Sequence, residues 1–251
     1  MSNLKLVTNK SQRTDKIITE IVDVTKKFNN GLLALKNVNL KIYQNDFITL
    51  LGQSGCGKST ILKLLCGLLK PTKGYVSWPT STFTNSKDNP ANLSVVFQEP
   101  NLMPWLDVLK NIKVPLKLMN MNNYQSMTRV HECLKLVGLE KYSHLYPNQL
   151  SGGMKMRVAL ARALVTDPKV LLLDEPFAAL DELNRFKLND ELLYIFEQKK
   201  LTVIFITHSI YESVYLSTRI ALIDNQPGSV LEEIELSVET ALSGLNFLNA
   251  V

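Results

Sequence analysis

Long apolar runs are missing from this chain of 251 residues. No segment approaches the ~18 residues that a membrane-crossing helix requires. The greasiest stretches, "VLLL" (170–173) and "TVIFI" (202–206), have the length of buried strands. The first residues, "MSNLKLVTNKSQRTDK", lack the apolar core of a secretory signal and read as a polar tail over 1–15, so the chain is expected in the cytoplasm. Three cysteines, Cys56, Cys66 and Cys133, form no metal-like spacing, and reduced thiols are expected. There is no low-complexity block, and 45% hydrophobic content excludes a disordered chain. A net charge of +5 without a dense basic run speaks against nucleic acid as a partner.

What is present alternates between strand and helix patterns. "KIITEIVDVTKKF" (16–28) mixes β-branched and polar residues as a strand does. "LALKNVNLKIYQNDFITLL" (33–51) reads as two strands with a turn at Gln44-Asn45-Asp46. Ile61, Leu62, Leu64, Leu65, Leu68 and Leu69 recur with helical spacing, up to a stop near Lys70-Pro71. Residues 79–92 are rich in turn formers and read as a surface loop. "LSVVFQ" (93–98), "KVLLLD" (169–174), "TVIFITH" (202–208) and "RIALID" (219–224) are further strands. The block from about 100 to 165, including "WLDVLKNIKVPLKLM", reads as helical and as an insertion, and 182–199 as another helix. Such alternation implies an α/β fold with a largely parallel sheet.

Three motifs carry chemistry. "GQSGCGKST" (52–60) satisfies G-x-x-x-x-G-K-[ST] at every fixed position, between a strand and a helix. Glycines let consecutive N–H groups turn onto phosphate oxygens, Lys58 would reach the β and γ phosphates, and the Ser59 hydroxyl would ligate Mg²⁺. The motif implies a nucleoside triphosphate. "VLLLDEP" (170–176) ends a buried strand on Asp174, which would hold Mg²⁺, and Glu175, which would act as general base; a solvated strand end is the plainer alternative. "LSGGMKMRVALARAL" (150–164) opens a helix on Ser151-Gly152-Gly153, a second place suited to phosphate, or simply a turn. Met154, Val158 and Ala161 can face a core there, with Lys155 and Arg157 adding positive charge near the turn.

Taken with Gln98 and "ITH", these motifs resemble, in order and spacing over about 17–225, the ATPase subunit of ATP-binding cassette (ABC) transporters. "VVFQEPNLMPWLDVLKNI" and "DEPFAALDELNR" are most similar to the nitrate/sulfonate/taurine type of importer. The resemblance implies a P-loop NTPase core with a mostly parallel sheet, an antiparallel β subdomain and an inserted helical subdomain. The ATPase domain would span 16–230, with 231–251 as a C-terminal extension. It implies ATP and Mg²⁺ as ligands, contacted by Gly52, Ser54, Gly55, Cys56, Gly57, Lys58, Ser59 and Thr60, with Ser59, Gln98 and Asp174 toward the metal. Gln98 and His208 would join Glu175 in catalysis, His208 touching the γ-phosphate. Phe28 would stack on adenine, although a core residue at a strand end would look the same. Asp181 matches a segment that crosses between subunits and equally suits a helix cap.

In that family two copies meet head to tail, each ATP lying between one P-loop and the other copy's Ser151-Gly152-Gly153 segment. The implied partners are therefore a second copy, membrane permease subunits and an external solute-binding protein. The implied location is peripheral, on the cytoplasmic face of the cell membrane. Residues 101–112 would meet the permease, with Trp105 as an exposed anchor, or else pack a core. Met156 and Ser209 depart from the family pattern, which commonly has a polar residue and aspartate there. Cys56 should be shielded by nucleotide. A soluble ABC-type ATPase of DNA repair or translation is the alternative, but such relatives usually carry tandem cassettes or long insertions. A small-molecule kinase would not explain the Ser-Gly-Gly helix start, nor would a non-hydrolysing module explain the intact catalytic set.

Overall fold

The computed structural model describes residues 14–78, 84–86, 89–90, 92–225 and 227–236. The chain divides into two compact units, Met1–Ala91 with Lys200–Val251, and Asn92–Lys199.

In the first unit, β1 (Ile17–Lys27), β2 (Leu33–Tyr43) and β4 (Lys73–Ser77) form an antiparallel sheet in the order β2-β1-β4. Alternation decides its face: Val38, Leu40 and Ile42 are buried while Asn37, Asn39 and Lys41 are exposed. A second sheet runs in the order β11 (Val230–Glu235), β10 (Arg219–Ile223), β3 (Phe47–Leu51), β9 (Thr202–Thr207). Its β10–β3 and β3–β9 pairs are parallel, and β11 is antiparallel to β10. Phe47, Ile48, Leu50 and residues 203–206 are fully buried, as expected for parallel strands covered on both faces. The turn at Asn45 (φ 61) joins β2 to β3. Beside it, Asp46 is completely buried and paired with Arg219 at 2.8 Å, a guanidinium that also reaches Glu233 and the Lys41 carbonyl. Helices α1 (Lys58–Leu65) and α6 (Ile210–Leu216) complete this unit, with a two-stranded pair, β5 (Thr84–Ser86) and β6 (Asn89–Pro90).

In the second unit, β7 (Leu93–Val96) and β8 (Val170–Asp174) pair in parallel. Helices α2 (Val108–Leu118), α3 (Asn123–Leu136) and α4 (Gly152–Leu164) pack on one another, and α5 (Glu182–Lys199) ends the unit. Asp107, Asn122 and Ser151 cap α2, α3 and α4 by accepting the N–H of Lys110, Gln125 and Met154. Val108, Ile112, Leu116, Val130, Leu134, Val158 and Ala161 fill the space between these helices.

Several expectations change. Helix α1 stops at Leu65 rather than near Lys70, because Gly67 takes a left-handed conformation (φ 73) that ends the helix, leaving Leu68 63% exposed. The helix expected from Trp105 starts at Val108, behind the Asp107 cap. The short strands β4, β5, β6 and β11 and helix α6 add to the elements that the sequence pattern marks. The polar tail lies outside the described residues except at 14–15, as do much of the 79–92 loop and residues 237–251 of the C-terminal extension.

Candidate active site

The phosphate loop follows β3. Its conformation is set by glycine: Gly55 and Gly57 sit at φ 81 and 103, and Gly57 is the cap residue of α1 without a side chain to satisfy that helix start. The loop is pressed from behind. A Cβ on Gly57 would lie 2.7 Å from Leu35 Cδ2, and one on Gly228 would lie 2.1 Å from the Cys56 carbonyl. The segment carrying Gly228 is tied to β2 on both sides, Gly228 N–H donating to the Ala34 carbonyl and Lys36 N–H to the Gly228 carbonyl. Asn225 Nδ2 donates to Gln53 Oε1 at 2.8 Å. Lys58 is buried, its ammonium donating to the Gly52 and Gln53 carbonyls at 2.7 and 2.8 Å. The cation is thus folded into the ring of the loop whose phosphates it would bind.

Cys56 is only 1% exposed, so the fold itself shields this thiol before any nucleotide arrives. Cys133 is buried too, and burial pushes its thiol up to about 11.

His208 stands immediately after β9. Leu51 pairs with Thr207 across the parallel β3–β9 ladder, so Gly52 and His208 leave the same strand-end edge together. Ser209, where the family pattern has aspartate, caps α6 by accepting the Glu212 N–H at 3.3 Å. Serine serves as well as aspartate in that role, which accounts for the departure. Phe28 lies in the turn between β1 and β2, its N–H bonded to the Leu32 carbonyl and the Lys26 ammonium 5.4 Å from its ring centre. It is half-buried rather than a core residue.

In the second unit the β7–β8 register, with Val96 opposite Leu173, carries Gln98 to the same edge as Asp174 and Glu175. Glu175 takes a left-handed backbone (φ 45), which costs a residue with a side chain about 1–3 kcal/mol and occurs mainly where the surroundings impose it. Buried Pro176 and Phe177 follow it, and the turn closes by Ala178 N–H to the Glu175 carbonyl. Asp181 caps α5, accepting the Asn184 N–H at 3.0 Å and its amide at 2.6 Å. The backbone hydrogen bond first, then the side-chain one, holds the Asp181 carboxyl below the ordinary carboxylate range.

Ser151, Gly152 and Gly153 open α4, with Ser151 and Gly152 exposed. Among the described residues, a Cβ on Gly153 would meet nothing within 4 Å. Met156 is buried, so an apolar residue suits the position better than the polar one of the family pattern. Arg157 adds no free charge to the turn: it donates to the Val137 carbonyl and pairs with Glu191 at 2.6 Å. Two α-helical residues missed at the sequence level matter. Arg162 on α4 grips the carbonyls of Pro100 and Asn101, just past Gln98, at 2.7 and 2.8 Å. Asn111 is buried and bonds Met103, Leu106 and Asp107, which fixes the turn presenting Trp105, 72% exposed. In the first unit, Gly228 and Asn225 bore no local signal, since they act on residues some 170 positions away. Glu212 did: Ser209-x-x-Glu212 is a capping-box spacing.

A phosphate loop of this construction, between a buried parallel strand and a helix, places the chain among P-loop nucleoside triphosphatases. More specifically, the ABC transporter family matches residues 35–178, and the chain belongs to that family. It is 43% identical over 227 residues to an uncharacterized ABC transporter ATP-binding protein of Methanocaldococcus jannaschii, covering 89% of this chain and 84% of that one. It is 41% identical over 218 residues to the aliphatic sulfonates import ATP-binding protein SsuB of Bacillus cereus, covering 87% and 84%. Among solved structures it is similar to a dimeric ATP-binding cassette in a post-hydrolysis state bound to ADP and Pi (TM-score 0.75, 35% identity, 87% and 99% covered). A further likeness is to cbiO1 of Clostridium perfringens, part of an ABC transporter complex (TM-score 0.82, 26% identity, 94% and 95% covered). The chain is an ABC-type ATPase that binds nucleotide.

Proposed function

We propose that this cassette powers uptake of a small solute through a separate membrane permease, at whose cytoplasmic side it sits as a peripheral subunit. Relatives named for import of sulfonates, bicarbonate and nitrate support the direction and the size of the cargo. No helix among the described residues is long and apolar enough to cross a membrane. An external solute-binding protein would deliver the cargo.

Lys58 and the loop N–H groups hold the β and γ phosphates; to do so, Lys58 exchanges its bonds to Gly52 and Gln53 for phosphate oxygens. Phe28 offers a half-buried ring to the base. In the second unit Asp174 and Gln98 offer carboxylate and amide oxygens, hard donors of the kind that would suit Mg²⁺, and in the first unit the Ser59 hydroxyl is a donor of the same kind. When bound, that ion neutralises charge on the phosphates. Glu175 takes a proton from the attacking water, and His208 orients the γ-phosphate. The observation that carries hydrolysis is Glu175 itself, held at φ 45 at the strand end directly after Asp174. Glu175→Gln is expected to lower turnover by roughly 10²–10⁴-fold with ATP binding retained. Wild-type turnover in that variant would remove Glu175 from the chemistry.

The permease side is suggested by a groove of about 990 Å³ on the second unit, lined by Met103, Trp105, Val114 and Leu118 together with Lys110, Lys113 and Lys117. The three lysines share one face of α2 by their spacing. An apolar permease segment bearing carboxylates would match both features.

A further inference from the structure

We propose that Glu212 is a positioning residue that holds the catalytic His208 in place through a closed ring of hydrogen bonds; this rests on the role given to His208 above. Thr207 and Glu212 are 3% and 5% exposed, while His208 between them in the chain is exposed. The Thr207 hydroxyl donates to Glu212 Oε2, and Thr207 Oγ1 itself accepts the Ser209 N–H at 3.0 Å. Ser209 Oγ in turn accepts the Glu212 N–H at 3.3 Å. A hydroxyl has one proton to give. By taking it, the buried carboxylate orients the Thr207 oxygen so that its lone pair faces the amide of Ser209. The residues on both sides of His208 are thereby fixed, one at the last position of β9 and one at the cap of α6.

The ring fixes the backbone on either side of His208, where a strand end passes at once into a helix. Buried carboxylates are rare and are retained where each oxygen is satisfied, so Glu212 is better explained by what it orients than by packing. Because Thr207 pairs with Leu51, the ring lies beside the start of the phosphate loop, where a small displacement of His208 matters most.

The test is a pair of substitutions of similar shape. Thr207→Val removes the hydroxyl and keeps the branched side chain; Thr207→Ser keeps the hydroxyl. Thr207→Val is expected to lower kcat by about 10–100-fold, the cost of misplacing a catalytic group by about an ångström. Its KM and ATP affinity stay at the wild-type values, and Thr207→Ser stays active. Should Thr207→Val fail to fold, Glu212→Leu, which keeps volume without an acceptor, is expected to repeat the loss, and Glu212→Gln to retain most activity. A merely structural role would lower the melting temperature and leave kcat at saturating ATP unchanged; that result overturns the inference. His208→Ala measured alongside separates the two levels. If it is inactive while Thr207→Val and Glu212→Leu turn over normally, only the positioning role fails. If it turns over normally, the role of His208 fails and the inference with it.

Discussion

Two helices in this chain begin as phosphate sites do, and they are built in opposite ways. Helix α1 starts at Gly57 in a left-handed conformation, packed from behind by Leu35, with a lysine folded into its loop. Helix α4 starts at Ser151, whose own hydroxyl caps it, and its Gly153 faces nothing within 4 Å. The neighbouring Arg157 is already spent on Glu191 and the Val137 carbonyl. Gly57 is therefore explained by its own chain, whereas among the described residues no contact requires Gly153 to lack a side chain. A glycine without an internal reason fits a surface that something else approaches closely, and the anion of a second copy is the natural candidate.

That contrast can be broken by substitution. Gly57→Ala is expected to cost about 1–3 kcal/mol of stability from the backbone conformation, before the 2.7 Å contact with Leu35 is counted. Equilibrium unfolding and ATP titration should both show the loss. Gly153→Ala should do the reverse in the isolated subunit, stabilising it by about 0.4–1 kcal/mol with ATP affinity intact, because a helical position with open space gains from alanine. Turnover should nevertheless fall.

A smaller effect concerns the start of α5. Since the folded carboxyl of Asp181 titrates below its unfolded value, its cap is fully present above the ordinary carboxylate range near ~4 and is lost as pH falls through the lower folded value. Hydrogen exchange at the first turn of α5 should quicken in that acid window, and Asp181→Asn should flatten the dependence.

The sequence exposed most of what strand periodicity and motif spacing encode. The turn at Asn45, the strand that leads into the phosphate loop and the helix start at Ser151 all lie where their residues place them. The rest depended on partners distant along the chain. Gly228 matters because a Cβ at that position would collide with the Cys56 carbonyl. Asn225 matters because Gln53 is opposite it. Helix α1 ends early because Gly67 outweighs the apolar spacing that continues to Leu69. Phe28 is half-buried because a turn, not a strand end, carries it.

The most direct measurement of the two-cradle account is light scattering on Glu175→Gln with and without ATP. ATP should double the solution mass, and adding Gly153→Asp should abolish that doubling while nucleotide still binds. A mass that stays monomeric with ATP bound, or that doubles regardless of residue 153, would contradict the assignment of the second helix start to a partner's nucleotide.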